Sequence, residues 1–300
     1  MNNSLSELTV IIVTFKTNIN ILQNCLNSID QRVKVIIVEN SEKFKNKTDI
    51  ENQFKNIKIL CSGSNLGMGA GNNFGLKKMA TKYALILNPD IICEKNFFTN
   101  IEKYLSGKID FAVMGGVYDK ETKFKPAGLF NNESLDNVKF IKEHNLYEVD
   151  WVVGHTILLN LEKFPDKNIF DENYFLFFEE TDLCKSAKKR NENIYMCPDL
   201  KIDHLGWKGS FAIDDKFKME SIKLRNWHYM WSFFYYNKKH YGYFFALIKS
   251  LGRLFRSSIK IIYYFITFNN EERTIYTYRF LGLLNSILFK NSYFRINFKD

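Results

Sequence analysis

The chain has 300 residues, 46% of them hydrophobic and 25% charged, with a formal net charge of +9. That length buries a full core as one large domain or as a domain with an appendage, and the ordinary apolar content, rich in Phe and Tyr, excludes a disordered chain. The last hundred residues hold 17 Lys and Arg against 7 Asp and Glu, whereas the first two hundred hold 25 against 26. A basic excess confined to an aromatic C-terminal third counts against a nucleic-acid binder and points to an anionic surface such as a membrane.

Residues 8–15 form a continuous apolar, β-branched run, the pattern of a strand buried on both faces. Ile19, Leu22, Leu26 and Ile29 then recur at helical spacing, and residues 33–38 read as a second buried strand ending in Glu39-Asn40-Ser41. A Lys-rich stretch, part helix, leads to a third strand at 57–61. A Gly- and Asn-rich loop over 65–75 opens onto a helix to about Thr81, and residues 84–87 are a fourth buried strand. Alternation of this kind predicts a mostly parallel sheet with helices on both faces. Beyond it, 97–105 reads as a helix, 111–117 as a strand, and 123–132 as a hairpin or loop. Residues 151–160 read as a strand interrupted by Gly154-His155, 170–178 as an aromatic, acidic loop, 179–191 as a helix, and 194–198 as a last short strand leading toward His204.

Composition shifts near residue 210, dividing the chain into a domain over 1–210 and a helical, basic and aromatic region over 211–300. Two helical stretches are expected there, 213–241 and 243–268. In the second, Lys249, Arg253, Arg256 and Lys260 make one cationic stripe and large apolar residues cover the remainder. Four charges across its middle oppose a membrane-spanning helix, leaving an interfacial helix, or one packed on the globular domain or on a second subunit of a homodimer. The amino terminus lacks the plan of a signal peptide, and five cysteines without metal-ligand spacing point to a reducing compartment. A cytoplasmic protein is expected, peripheral at the inner face of the membrane.

Five constellations can carry chemistry. Thr14-Phe15-Lys16 and Glu39-Asn40 end adjacent strands and so face one crevice, where a carboxylate can accept from a base or a ribose, although strand-end turns look the same. In the 65–75 loop, Gly67, Gly69, Gly71 and Gly75 let backbone N–H groups approach a ligand, with Asn65, Asn72 and Asn73 alongside. Asn88-Pro89-Asp90 either simply turns the chain or sets a carboxylate at the carboxyl end of a buried strand, where ligands bind in open α/β sheets. Glu179, Glu180 and Asp182 open a helix, where acids are ordinary, yet the aromatic lead-in walls them from water and makes a usable general base. His204, a lone histidine after a strand, is either structural or, with an aspartate, a partner for a divalent ion.

Taken together and in order, these segments resemble the family-2 inverting glycosyltransferases of GT-A fold, most closely their rhamnosyltransferase-like bacterial branch. The resemblance runs from Leu8 to about Ser210. The family's Thr-Tyr-Asn strand end appears as Thr14-Phe15-Lys16 and its Val-Asp-Asn-Ser as Val38-Glu39-Asn40-Ser41. Its glycine- and asparagine-rich loop appears as residues 65–75, and its Leu-Asn-Pro-Asp without change as Leu87-Asn88-Pro89-Asp90. Trp-x-x-Gly is Trp151 to Gly154, and the Phe-Asp-Glu…Phe-x-x-Glu-Asp-x-Asp-Leu stretch is Phe170 to Leu183.

The resemblance implies a GT-A fold with a helical C-terminal extension. It implies an enzyme that moves a sugar, a deoxysugar such as L-rhamnose, from a dTDP- or UDP-activated donor to a hydroxyl of a glycan or lipid-linked saccharide. Thr14, Lys16, Glu39, Asn65, Gly67, Asn72, Asn73, Asn88 and Asp90 then bind the nucleotide sugar, and Trp151, Gly154 and His155 line the sugar or acceptor pocket. Asp90 and His204 hold Mg²⁺ or Mn²⁺. Glu180 is the general base, with Glu179 or Asp182 orienting acceptor or base. Glu39 and Glu180 stand where the family has aspartates, each a C–C bond of roughly 1.5 Å longer. Asn88 stands where many relatives carry a first aspartate. The alternative from another class is a non-catalytic nucleotide-sugar-binding partner subunit.

Overall fold

Continuous apolar runs make strands that need cover on both faces, and the computed structural model shows how that cover is provided. It describes residues 4–107, 109–118, 127–130, 138–205 and 217–296. Strands β1 (Leu8–Thr14), β2 (Lys34–Glu39) and β3 (Ile57–Cys61) alternate with helices α1 (Ile19–Asn27), α2 (Lys47–Gln53) and α3 (Met68–Leu76). Then follow β4 (Tyr83–Leu87), β5 (Ile91–Cys93), α4 (Phe97–Ser106), β6 (Val113–Tyr118) and β7 (Ala127–Gly128). Strands β8 (Phe140–Ile141), β9 (Leu146–Glu148), β10 (Trp151–Val152) and β11 (Thr156–Asn160) precede α5 (Glu179–Lys189) and β12 (Ile194–His204).

The main sheet has ten strands in the order β3-β2-β1-β4-β11-β6-β12-β9-β8, with β5 paired to β12 off this path. Strands β3, β2, β1 and β4 run parallel, and β11 enters antiparallel between β4 and β6. β1 divides the core by alternation: Val10 and Ile12 face Leu22, Leu26 and Phe97, while Ile11 and Val13 face Leu76 and Leu183 on the other side. Helices therefore cover both faces, as period-2 side chains on a central strand require. β7 and β10 form a separate two-stranded ribbon.

Several expectations change in detail. The glycine-rich stretch is mostly helix, since α3 begins at Met68. A Cβ on Gly75 would stand 2.8 Å from Ile11 Cγ2, and one on Gly71 2.9 Å from Val13 Cγ1. These two glycines let α3 lie close on β1. The last strand, expected over 194–198, runs to His204, with a register irregularity between Met196 and Lys201 that carries it past Pro198. The expected loop at 123–132 lies outside the described residues except for 127–130, and so does the start of the helix expected from 213.

The chain forms two compact units, one of Met1–Asp171 with Glu180–Ser210 and the other of Glu172–Glu179 with Phe211–Asp300. The second contains α6 (Lys218–Tyr241), α7 (Tyr243–Ile266) and α8 (Asn270–Ile287). Its helices pack through Met230, Phe234, Ala246 and Leu283. Gly282 permits the closest approach, because a Cβ there would lie 2.1 Å from the Trp227 carbonyl oxygen. The 172–179 segment lies against α6: Tyr174 stacks edge-on to Tyr235, and Phe177 and Phe178 pack on Tyr229. Among the described residues no helix is long and apolar enough to cross a membrane.

Candidate active site

The site is built at the carboxyl ends of the parallel strands, where backbone groups leave the ladder and side chains turn into the crevice. Thr14 and Glu39 face each other across the β1–β2 register. The Thr14 hydroxyl donates to Glu39 Oε2 at 2.6 Å and the Ser41 hydroxyl to Oε1 at 2.8 Å. Lys16, at φ 49°, adds its backbone N–H to the same carboxylate. Burial pushes the Glu39 carboxyl up, and these three donors pull it back. Beside it the Asn40 amide donates to the Gly67 carbonyl at 2.9 Å, and the Gly67 N–H donates to Asn65 Oδ1 at 3.1 Å. Asn65 and Gly67 thus shape a turn fixed to the end of β2.

Asn72 and Asn73 are neighbours with different surroundings. Asn73 donates to the Phe170 carbonyl at 2.7 Å and accepts from the Phe170 N–H at 3.0 Å, so it braces the segment that leads to the acids. Asn72 Oδ1 is buried with no partner among the described residues, and so is Asn88 Oδ1. Unsatisfied buried acceptors cost roughly 1–3 kcal/mol each and call for a water, an ion or a ligand to supply the missing partner.

Asp90 is only 3% exposed, and its Oδ2 lies 3.4 Å from His204 Nε2. Residues 114 apart in sequence meet because β5 folds back on β12, pairing His204 with Ile91, and because the Leu205 N–H donates to the Asp90 carbonyl at 3.1 Å. Two further rings border this pair. His155, buried, lies 5.7 Å from the His204 ring and 4.7 Å from that of Tyr118, which is itself 5.9 Å from His204. His155 binds Thr156 Oγ1 through Nδ1 at 3.0 Å, while its buried Nε2 has no partner among the described residues. Burial, then the neighbouring His204, holds its pKa down to about 3, so the ring is neutral at physiological pH. Among the described residues no three His, Cys, Asp or Glu side chains converge on one ion. A carboxylate, an imidazole and the open Asn88 amide oxygen nevertheless suit Mg²⁺ or Mn²⁺, with the remaining positions left to phosphate oxygens and water.

Glu180 lies in the first turn of α5. A Cβ on Gly154 would come within 3.3 Å of Glu180 Cγ, so the glycine of the Trp-x-x-Gly segment is what lets this acid approach β11's leading loop. Burial raises the Glu180 carboxyl, opposed by its own backbone N–H and by Thr181. Phe177 and Phe178, just ahead of the acids, both have positive φ, 66° and 68°. Two bulky residues in the left-handed region are strained, and the aromatic packing on α6 holds them there. Asp182 is buried two residues further on. Trp151 covers Gly128 in the β7–β10 ribbon, where its ring would be 2.8 Å from an added Cβ.

Sequence reasoning did not find Tyr118, which ends β6 beside Asp90 and whose phenol is raised by burial and by that carboxylate. The only available signal was its place at the end of an apolar strand. Nor did it find Thr156 as the partner of His155.

The family model described as glycosyl transferase family 2 matches residues 9–164, more than half of the chain. The low-salt glycan biosynthesis hexosyltransferase Agl10 of Haloferax volcanii is 25% identical over 211 residues, 67% of either chain. The rhamnosyltransferase WbbL of Escherichia coli K12 is 25% identical over 240 residues, 73% of this chain and 87% of its own. Among solved structures, the mannosyltransferase PcManGT from Pyrobaculum calidifontis, in complex with GDP-Man and Mn²⁺, shares the fold at a TM-score of 0.54 and 10% identity, covering 95% of this chain and 88% of that one. GalNAc-T7 with UDP, GalNAc and Mn²⁺ has the same TM-score and identity over 77% of this chain, which spans only 50% of that structure. The chain therefore belongs to glycosyl transferase family 2 and is a glycosyltransferase of GT-A fold.

Proposed function

We propose that this glycosyltransferase is metal-dependent and inverting, and that it moves a deoxysugar, rhamnose first among them, from a nucleoside-diphosphate donor to a hydroxyl of a cell-surface glycan precursor. The observation that carries the reading is the convergence of Asp90 and His204, 3.4 Å apart, at the strand ends that also bear Thr14 and Glu39. The similarity to a protein named a rhamnosyltransferase over 73% of the chain supports the choice of sugar.

Thr14 and the anchored Glu39 carboxylate hold the nucleoside, with the Asn65–Gly67 turn and Asn72 beside them. Asp90 and His204 hold Mg²⁺ or Mn²⁺, with Asn88 alongside. An ion held there would stabilise negative charge on the departing diphosphate. Glu180 takes the proton of the acceptor hydroxyl, and its apolar setting keeps the carboxyl's pKa high enough for that proton to be held. A single displacement inverts the anomeric carbon. Gly154 and His155 border the sugar, and Glu179 and Asp182 orient base and acceptor. The acceptor is a lipid-linked saccharide at the cytoplasmic face of the membrane, and the basic C-terminal unit meets that surface.

Transfer from dTDP- and UDP-sugars, measured with and without EDTA, tests the reading. Activity should vanish with chelator and return with Mn²⁺. Asp90→Asn should weaken Mn²⁺ binding, followed by calorimetry, by more than the roughly 10–100-fold that loss of an outer-shell partner costs. Full activity of Asp90→Asn would sink the proposal.

A further inference from the structure

Helix α7 has its large and small residues on unexpected sides. The face turned into its own unit carries Ala246, Ser250 and Ser257, all buried, with Leu254 half-buried between them. The opposite face shows solvent Phe244 (79% exposed), Ile248 (70%), Leu251, Phe255 (69%), Ile259, Ile262 and Ile266. Their spacing of three and four residues places them within an arc of about 80° at 100° per residue. Phe268, just past the helix, is 87% exposed. A helix that packs through small residues and presents its large apolar ones outward is built to bury that face in something else.

Charge identifies the occupant. Lys249, Arg253, Arg256 and Lys260 run along the helix between the apolar stripe and the buried face, and residues 243–266 contain no Asp or Glu. The cations lean on aromatic rings, Arg253 over Phe233 at 4.0 Å and Lys260 over Tyr263 at 5.3 Å, with their apolar stems along the helix. A second copy seated on the stripe would bring four more cations beside these four with no acid in the helix to offset them. An anionic lipid surface offers both an apolar interior and the countercharge.

We propose that α7 lies flat in the interface of an anionic bilayer, with the Phe244–Ile266 stripe in the acyl boundary and the four cations on lipid phosphates. This rests on the membrane reading above and names the element that carries it.

Flotation of the full chain with vesicles of phosphatidylcholine, alone or mixed with phosphatidylglycerol, tests it. Binding should be strong on the anionic vesicles and weak on the neutral ones. Each cation near such a surface strengthens partitioning by about fivefold, so the combined Lys249→Gln, Arg253→Gln, Arg256→Gln and Lys260→Gln variant should lose at least about a hundredfold. Ile248→Ser with Phe255→Ser, at exposed positions that leave the fold intact, should lower binding to either vesicle. Phe255→Trp should show a blue-shifted emission when anionic vesicles are added. Unchanged flotation in these variants overturns the inference, as does an unshifted Trp emission. So does a vesicle-free dimer, seen by light scattering, that the serine variant dissolves. Transfer to a soluble acceptor is read in parallel: its loss in wild type with flotation intact counts against the transferase reading alone, and flotation failing while transfer persists counts against the membrane helix alone.

Discussion

Glu180 combines a raised carboxyl with a fixed approach past Gly154, and both follow from one half-buried position at the start of α5. As the proposed base it would act in its ionised form, so kcat should rise as pH increases through a pKa above the ordinary value of 4.5 and level off beyond it. Glu180→Gln should lower kcat by about 10²–10⁴-fold, remove that acidic limb and leave donor affinity nearly unchanged, as read by steady-state kinetics and nucleotide titration. If Glu179→Gln does this instead, the base is one residue earlier. At this scale Asp90 was legible because Asn88-Pro89 ends an apolar strand, and His204 because it follows one. The Asp90–His204 distance was not, since it depends on β5, a three-residue strand too short to leave a periodic signal, and Tyr118 was not, since only the pairing of β6 with β12 brings it to that carboxylate.

Among the elements, the strands of the parallel half were legible to within a residue or two, because buried strands are written as unbroken apolar runs. The glycines of α3 carry two readings for a physical reason. Glycine serves backbone approach to a ligand and backbone approach to a strand equally well, and only the fold tells them apart. Gly75→Ala should therefore destabilise the chain by about 1–3 kcal/mol through overpacking against Ile11, measured by urea unfolding, whereas a ligand-cradling glycine would show a binding defect first. Helix α8 escaped notice because Gly282, Asn285 and Ser286 are buried beside Tyr276 and Leu283 while Leu281 is exposed, which blurs the usual apolar periodicity. The positive φ values at Phe177 and Phe178 left no trace either, since aromatic residues rarely adopt them.

For the molecule as a whole, the candidate site lies in the charge-balanced unit and α7 in the basic one. Residues 172–179 leave the first unit and return to it at Glu180, which no composition shift announced. A nucleoside diphosphate with Mn²⁺ binds only the folded chain, so at a hundred times its Kd it should stabilise by about 2.7 kcal/mol, seen as a raised unfolding temperature. No rise with any nucleotide would remove the donor site assigned here.

The β2–β3 ladder sets Cys61 directly across from Glu39. Cys25, Cys93, Cys184 and Cys197 are buried, and burial raises all four thiols, Cys93 and Cys184 to about 12, whereas Cys61 is only half-buried. A small thiol reagent should accordingly modify Cys61 first and in single stoichiometry. The native chain thus carries its own attachment point for a fluorescent reporter beside Glu39, at the strand end proposed to hold the nucleoside. Its labelling rate should fall when nucleoside diphosphate and Mn²⁺ are present, a titration that needs neither an acceptor nor turnover.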